Sequence, residues 1–450
     1  MTTNITSVPN MKEQITSATS EQIEEFREHI KDDPKLIKEL DDAIDEKKPI
    51  IHANGYPFWD PKQLNASRLT LFLEENGFGN FRNETGRTSK SILFKNENGV
   101  LEVHDPSSIR TWLINYVNKY EEQSSPLFNK LVRLTPQTLG TWLQSLKCWS
   151  SNDFPDTEKL NLFSDDKDHC YITFNNGVVH ITSENIKLLE KDALKDKGCI
   201  WESSIIPKTI EVTNEHEERN PFKDFIHYAL KDNVEPIHPS NGENDYNEGT
   251  DDPSFSGRKD AFETAFGYLI HSYQPPSESK VVVFIDVDSS PDRTEGGNGK
   301  SVAMKMVSHY RKEGFVDGQG FRKGSCMGSR FNFSSVKVDT GFININDLKK
   351  DFDLTQIFSM ITDDLILEGK GKDKIVIPSD KKPKMGVSTN HVVTGIGTSF
   401  DRRQHIVEFG NFWSRCVPLN IRTESIIGKL LGTDFDDQDW IEFYNYGFYC

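Results

Sequence analysis

The segment that most constrains the fold joins an apolar run to a glycine-rich turn near the middle of the 450-residue chain. Residues 281–285, Val-Val-Val-Phe-Ile, have the composition of a strand that is buried on both faces. Glu-Gly-Gly-Asn-Gly-Lys-Ser follows at residues 295–301, and residues 302–307 have the composition of a helix. Glycines allow backbone N–H groups to close around an anion without interference from Cβ atoms. This order of strand, turn and helix predicts an α/β fold with a phosphate-binding loop.

The loop contains the residue types that bind a nucleotide and Mg²⁺. Lys300 would neutralise the β- and γ-phosphates, and the Ser301 hydroxyl would take one position on Mg²⁺. The full pattern has glycine five residues before Gly299, where this chain has Thr294. The alternative is an ordinary glycine-rich loop that happens to precede Lys-Ser. The predicted nucleotide-binding residues are Glu295, Gly296, Gly297, Asn298, Gly299, Lys300, Ser301 and Val302.

Two later strands are predicted to bring polar groups to the same edge of the sheet. Residues 342–346 alternate in polarity and lead to Asp347, whose carboxylate would hold Mg²⁺ and polarise water. Residues 385–388 predict another buried strand, after which Asn390 would orient the attacking water or sense the γ-phosphate. A solvated strand end is the alternative interpretation of Asp347.

Basic residues cluster at two further places. Lys370, Lys372 and Lys374 are interleaved with glycines, as in a flexible hairpin tip that contacts a phosphate backbone. The Arg402-Arg403 pair precedes an apolar-aromatic run, where an arginine finger could reach a neighbouring subunit's γ-phosphate. The alternatives are a solubilising loop for the lysines and a surface salt bridge for the arginines.

The net charge of −17 is unevenly distributed along the chain. Residues 276–430 carry 23 Lys and Arg against 19 Asp and Glu, a balance of +4, whereas the remainder carries 30 against 51, or −21. An acidic chain disfavours indiscriminate coating of DNA but allows a basic channel in one domain. The chain contains no run of 18 apolar residues, so no membrane span is predicted. The six cysteines lack metal-binding spacing, which favours reduced thiols in the cytoplasm.

Periodicity and composition predict several local elements and six segments. Residues 171–181 are typical of a hairpin about an Asn-Gly turn, and residues 259–273 predict a helix stopped by two prolines. A helix starting at Asp353 is expected to bury apolar residues up to Leu365. The predicted segments are a disordered N-terminus (1–20), an N-terminal α/β module (21–130), a β-rich middle region (131–215), a helical region (216–275), an ATPase-type domain (276–430) and a C-terminal tail (431–450).

The order of these motifs resembles the superfamily-3 helicases, and more narrowly the primase/helicase proteins of phages and plasmids. The resemblance is strong from about residue 275 to residue 413 and weaker upstream. It implies a P-loop ATPase core of AAA+ type that binds ATP and Mg²⁺. Position by position, it implies Walker A roles for Lys300 and Ser301, the second Walker B acid for Asp347, the sensor for Asn390, contact with single-stranded DNA for Lys370, Lys372 and Lys374, and the arginine finger for Arg403.

Two positions depart from the family pattern. Thr294 replaces the first Walker A glycine, and Asn346 stands where the family usually has the first of two adjacent acids. Asn346 carries no charge, which predicts slow hydrolysis. Asp286 and Asp288 lie within the ATPase-type domain without a partner histidine and acid, so a priming activity is not indicated.

The sequence thus favours an ATP-dependent helicase or translocase in the replication of a phage, plasmid or integrated element. The resemblance implies a cytoplasmic homo-oligomer, expected to be a hexamer, that acts on single-stranded DNA. The alternative is an initiator or assembly factor that binds ATP with weak or no hydrolysis.

Overall fold

The chain divides into two compact units, one formed by residues 1–76 and 105–146 and the other by residues 77–104 and 147–450. These units follow the packing of the chain, and the functional boundaries predicted from the sequence stay predictions. The computed structural model describes residues 27, 56–60, 63–82, 91–119, 125–150, 157–213, 220–232, 254–275, 277–287, 296–321, 330–350, 352–368, 374–391, 397–416 and 426–450.

The first unit contains helices that share one kind of start. In three of them a proline occupies the first helical position, where its missing N–H costs no hydrogen bond. The preceding side chain (Asp105, Ser125 or Thr135) accepts a hydrogen bond from the backbone N–H three residues later. The described elements of this unit are β1 (Trp59–Asp60), β2 (Gln63–Leu64), α1 (Ala66–Glu75), α2 (Pro106–Asn118), α3 (Pro126–Arg133) and α4 (Pro136–Leu143).

The second unit begins with two β-sheets. A six-stranded mixed sheet has the order β11-β5-β4-β3-β6-β7, and a three-stranded antiparallel sheet has the order β10-β9-β8. The predicted hairpin is confirmed, but its two turn residues are Asn175 and Asn176 rather than Asn-Gly, because Gly177 starts β9 and pairs with Phe174. The strands are β3 (Phe78–Phe81), β4 (Ile92–Glu97), β5 (Val100–His104), β6 (Cys148–Ser150), β7 (Glu158–Lys159), β8 (Cys170–Phe174), β9 (Gly177–Ile181), β10 (Ile186–Leu189) and β11 (Ile200–Trp201).

A five-stranded sheet, parallel throughout, forms the centre of the second unit, which confirms the expected α/β architecture. Its order is β13-β14-β17-β12-β18, and an antiparallel hairpin, β15-β16, is inserted before β17. The described elements are α5 (Pro221–Ala229), α6 (Phe255–Ile270), β12 (Val281–Asp286), α7 (Lys300–Met306), β13 (Glu313–Asp317), β14 (Phe342–Asn346), α8 (Phe358–Thr362), β15 (Leu365–Glu368), β16 (Lys374–Ile377), β17 (Lys384–Ser388), α9 (Thr398–Arg402), β18 (Gln404–Phe409) and α10 (Asp437–Tyr449).

Side chains of β12 alternate between two hydrophobic layers, as the two-residue period of a strand requires. Val282 and Phe284 belong to a core that also contains apolar residues of α5, α6, α7 and α10. Val281 and Val283 belong to the opposite core, with apolar residues of α8, β15, β16 and β17. Because β12 is covered on both faces, a continuous apolar run is the composition that it needs.

Helix α10 lies within the segment that the sequence analysis treats as a tail. Asp436 and Asp439 form a capping box at its start, and Phe443 and Tyr444 are buried in the core beside α6 and α7. A Cβ atom at Gly447 would lie only 2.2 Å from the hydroxyl oxygen of Tyr310, so this close approach requires glycine.

The helix expected after Asp353 is shorter than predicted. A 3₁₀ turn (Leu354–Ile357) leads into α8, which ends at Thr362, and Leu365 starts β15 by pairing with Ile377. Asp364 contributes to this change because its Oδ1 accepts the backbone N–H of Ser379, 2.9 Å away, at the other end of the hairpin. No helix among the described residues is long and apolar enough to span a membrane.

Candidate functional site

The glycine-rich loop follows the carboxyl end of β12 and leads directly into α7. Gly297 and Gly299 adopt positive φ values of 87° and 95°, a region that residues with a Cβ atom rarely occupy. A Cβ atom at Gly299 would also lie 2.5 Å from Cζ of Phe225 on α5. Gly296 and Asn298 complete the described loop, whereas Glu295 lies outside the described residues.

Lys300 is buried at the start of α7, with only 6% of its side chain exposed. Its ammonium group forms an ion pair with Oδ2 of Asp286, the last residue of β12. Burial lowers the pKa of Lys300, and the carboxylates of Asp286 and Asp347 oppose that shift. Ser301 is exposed beside it, and Val302 is 42% exposed.

Asn298 connects the loop to the end of β12 and to the segment that follows β18. Its Nδ2 donates to Oδ1 of Asp286 over 3.0 Å, and its Oδ1 accepts the backbone N–H of Ser414 over 3.2 Å. Asn298 is only 1% exposed, so both hydrogen bonds are shielded from water. The loop is therefore attached to the carboxyl end of β12 and to the π-helical turn (Phe412–Cys416) that follows β18.

Asp347 directly follows β14 and adopts a left-handed conformation with φ 56°. Gln319 donates from its Nε2 to Oδ2 of Asp347 over 2.9 Å and to the Asp347 carbonyl oxygen over 3.0 Å. The backbone N–H of Asp347 donates to Oγ of Ser388, whose hydroxyl donates to Oδ1 of Asn346. Asn346 therefore bonds to β17, and Asp347 is held by the turn after β13.

Asn390 lies next to the glycine-rich loop, two residues beyond β17. Its side-chain nitrogen is 3.6 Å from the position that a Cβ atom on Gly296 would occupy. The preceding Thr389 is bonded to both neighbouring strand ends, through its N–H to the Phe284 carbonyl and through its hydroxyl to the Leu348 carbonyl. Asn390 and the loop are thus brought together by the parallel pairing of β12 and β17.

Arg403 lies at the amino-terminal ends of the parallel strands, opposite the end that carries the glycine-rich loop. Its carbonyl oxygen accepts the N–H of Val281 at the start of β12, and its guanidinium carbon is 5.5 Å from the ring centroid of Phe358. The length of β12, five residue steps or roughly 16 Å, separates this end from Asp286. The structure does not bring Arg403 together with Lys300 in one chain.

The predicted basic hairpin tip falls largely outside the described residues. Lys374 starts β16 and pairs with Glu368 of β15, while Lys370 and Lys372 lie outside the described part of the chain. The base of the hairpin is fixed by Leu365 and Ile377, which are buried in the core shared with β12.

Sequence reasoning missed three contributors to this site. From the sequence, Asp286 is considered only for a priming activity, which is not indicated, and no role is assigned to Gln319 or Ser388. All three lie at or just beyond carboxyl ends of parallel strands, and that position was the available signal. In the described part of the chain these ends collect Asp286, Gln319, Asp347, Ser388 and Asn390 around the glycine-rich loop.

Comparisons with known proteins give a distant structural likeness. No protein family and no curated protein matches the chain. Two apo A-form structures of the C-terminal region of NrS-1 are similar to it at 12% sequence identity, with TM-scores of 0.38 and 0.37. The first match covers 84% of this chain and 68% of that one, and the second covers 86% and 70%.

Proposed function

We propose that this protein is an ATP-dependent helicase or translocase that acts on single-stranded DNA during replication of a mobile element. The observation that carries the proposal is the convergence of Lys300, Asp347 and Asn390 on a glycine-rich loop at the carboxyl edge of a parallel sheet. In open α/β sheets, ligands bind beyond the carboxyl ends of the strands, at the point where the strand order reverses. Here β12 lies between β17 and β18, and the next strand along the chain, β13, is the outermost strand on the other side of the sheet.

The residues present fit a nucleotide triphosphate with Mg²⁺. The loop glycines leave backbone N–H groups open to phosphate oxygens, and Lys300 supplies the buried positive charge. Ser301 and Asp347 would hold Mg²⁺, which would supply positive charge to offset the negative charge of the phosphates. Asn390 would orient the attacking water from its position beside Gly296, where its side-chain nitrogen is 3.6 Å from the site of a Cβ atom on that glycine.

Translocation requires DNA contacts that change with the nucleotide state. The β15-β16 hairpin supports this role because its base is packed in the core that also contains Val281 and Val283 of β12. Lys370, Lys372 and Lys374, which the sequence predicts for the hairpin tip, would contact the phosphates of single-stranded DNA. The local balance of +4 over residues 276–430 fits such a contact within an acidic, cytoplasmic protein.

The position of Arg403 favours a shared site. It lies about 16 Å from the loop of its own chain by the strand rise, so it would act only on a neighbouring chain. A homo-oligomer, expected to be a hexameric ring, would place Arg403 of one subunit near the γ-phosphate bound to the next. Such a finger is worth about 10³–10⁵ in rate.

A second candidate function is an ATP-binding initiator or assembly factor with little hydrolysis. The observation that favours it is the Asn346 side chain, which bonds to Ser388 and supplies no second carboxylate. Asp347 alone would then hold Mg²⁺, and ATP would act as a conformational ligand.

Steady-state hydrolysis of ATP, with and without single-stranded DNA, distinguishes the two candidates. The translocase predicts turnover that single-stranded DNA stimulates, and Lys300→Ala should abolish that turnover because it removes the fixed cation at the phosphates. Tight ATP binding without turnover supports the initiator. Normal turnover in Lys300→Ala would contradict the phosphate-binding role of the loop, on which both candidate functions depend. Lys305→Ala, on the same helix, is the matched control.

A further inference from the structure

The ion pair between Asp286 and Lys300 has the geometry of a competitor for phosphate. Both Asp286 oxygens are engaged, Oδ2 by the Lys300 ammonium and Oδ1 by the Asn298 amide at 3.0 Å. The two charged side chains are only 2% and 6% exposed. The lysine that is expected to bind phosphate is therefore already paired with a buried carboxylate of its own chain.

This pairing has two consequences for an incoming anion. The anion must attract Lys300 away from Asp286, which costs the strong interaction of a shielded ion pair. Once Lys300 has moved, Asp286 remains as an uncompensated negative charge next to the phosphates. Asp347, the other carboxylate whose charge acts on Lys300, adds to the repulsion unless a divalent cation neutralises it.

We propose that Asp286 is a latch on the phosphate site, which holds Lys300 in the nucleotide-free protein and releases it only to a phosphate ligand that binds the ammonium group. The latch lowers the affinity of the site for each such ligand, because every ligand that takes Lys300 must offset the loss of the same ion pair. This inference rests on the proposed function, since it takes the loop to be a phosphate site.

Asp286→Asn is a nearly isosteric test. The asparagine carbonyl can still accept the Asn298 hydrogen bond, so the change removes the charge and keeps the loop contact. Calorimetric titration with a non-hydrolysable ATP analogue, ADP and AMP, each with Mg²⁺, should show at least tenfold tighter binding of the triphosphate analogue to Asp286→Asn than to the unmodified protein. ADP, which also places a phosphate at Lys300, should bind more tightly to Asp286→Asn as well.

Asp437→Asn is the matched control, because Asp437 is an exposed carboxylate in the first turn of α10, outside the loop and the strand ends of the site. Its affinity should stay within twofold of the unmodified protein. Should Asp286→Asn not fold, Asp286→Ser keeps a hydroxyl acceptor for Asn298 and enters the same titration.

The outcomes separate the latch from the function on which it rests. Equal or weaker binding of the triphosphate analogue by a folded Asp286 variant, with binding by the unmodified protein, overturns the latch and leaves the nucleotide site in place. Absence of binding in both proteins overturns the nucleotide site together with the latch. Binding by the variant alone supports both.

Discussion

At the scale of the residue, the turn after β13 holds the backbone and the carboxylate of Asp347 in place. Its left-handed backbone, with φ 56°, costs roughly 1–2 kcal/mol for a residue with a Cβ atom. Gln319 offsets part of this cost by donating to both the carbonyl and the carboxylate of Asp347. The carboxylate is thereby held in one orientation before any cation arrives.

Gln319→Ala should therefore reduce turnover more than nucleotide affinity. Without the amide, the Asp347 carboxylate is free to rotate, and we expect turnover at saturating ATP to fall on the order of tenfold, about 1.4 kcal/mol in the barrier. The concentration of Mg²⁺ at half-maximal rate should rise. Gln438→Ala, which removes an exposed glutamine bonded to Glu442 on α10, is the control. Unchanged turnover and Mg²⁺ dependence would show that Gln319 does not position Asp347.

Motif residues were predictable because local pattern defines them. Glycines that need positive φ, followed by Lys300 and Ser301, are visible in a single stretch of sequence. The partners of those residues were not visible, because Asp286 precedes Lys300 by a loop and Gln319 precedes Asp347 by 28 residues. Only the pairing of parallel strands brings such groups together.

At the scale of the element, β17 begins with a lysine that the fold buries. Lys384 is 2% exposed, its Nζ donates to the Tyr268 carbonyl over 2.7 Å, and it lies 3.7 Å from the ring centroid of Tyr268. Burial lowers the pKa of Lys384 to about 7, and nearby Cys170 and Asp165 only partly oppose the shift. Between pH 7 and about 10.4, the unfolded chain therefore binds a proton that the folded chain releases.

Lys384→Met should change how stability depends on pH. The buried charge penalises the folded state fully below pH 7, and the penalty disappears as pH rises toward the unfolded pKa, so the native protein gains stability over that range. Relative to the native protein, the free energy of unfolding of Lys384→Met should fall with rising pH above 7, by at most about 1.4 kcal/mol per pH unit. Denaturant titrations from pH 6 to pH 10 measure this difference.

Lys349→Met is the matched control because Lys349 is exposed. Its difference from the native protein should stay constant over the same pH range. A constant difference for Lys384→Met as well would contradict the lowered pKa of Lys384.

Elements with a strong single pattern were predicted, and those with competing patterns were not. The run at β12 and the alternation at β14 gave the correct strands. Leu365 continues the helical spacing of apolar residues, but in the structure it starts a hairpin strand. That strand forms because Leu365 pairs with Ile377, twelve residues later in the sequence. Helix α10 carried visible signals, the capping box at Asp436 and aromatics at helical spacing, which the sequence analysis passed over.

At the scale of the whole molecule, the sheet separates two parts of the proposed catalytic site. Lys300 follows the carboxyl end of β12, and Arg403 precedes β18 at the other end of the same parallel pair. A single chain thus contains both groups and cannot use them together. The partner of Arg403 in the proposed shared site could not be predicted from one sequence, since it depends on surfaces rather than on local pattern.

Two inactive variants should restore activity when they are mixed. An Arg403→Ala subunit keeps its own Lys300, and a Lys300→Ala subunit keeps an arginine that can complete the neighbour's site. Under conditions that permit subunit exchange, a titration of one variant against the other should show ATP turnover that peaks at an intermediate ratio. Zero activity at every ratio, with mixed oligomers shown to form, would favour a role for Arg403 within its own chain.

In the proposed oligomer, the number of complete sites would depend on how the chains join, because Arg403 and the loop lie at opposite ends of β12. Contacts that join one end of a protomer to the other end of the next are head-to-tail, and they generate either a closed ring or an open filament. In an open row the terminal protomer always has one unmatched half-site, so activity per protomer would climb gradually with length. When the row closes into a ring, the unmatched half-site of the terminal protomer is completed in a single step. A sharp rise in specific activity at one oligomer size would therefore indicate a closed ring.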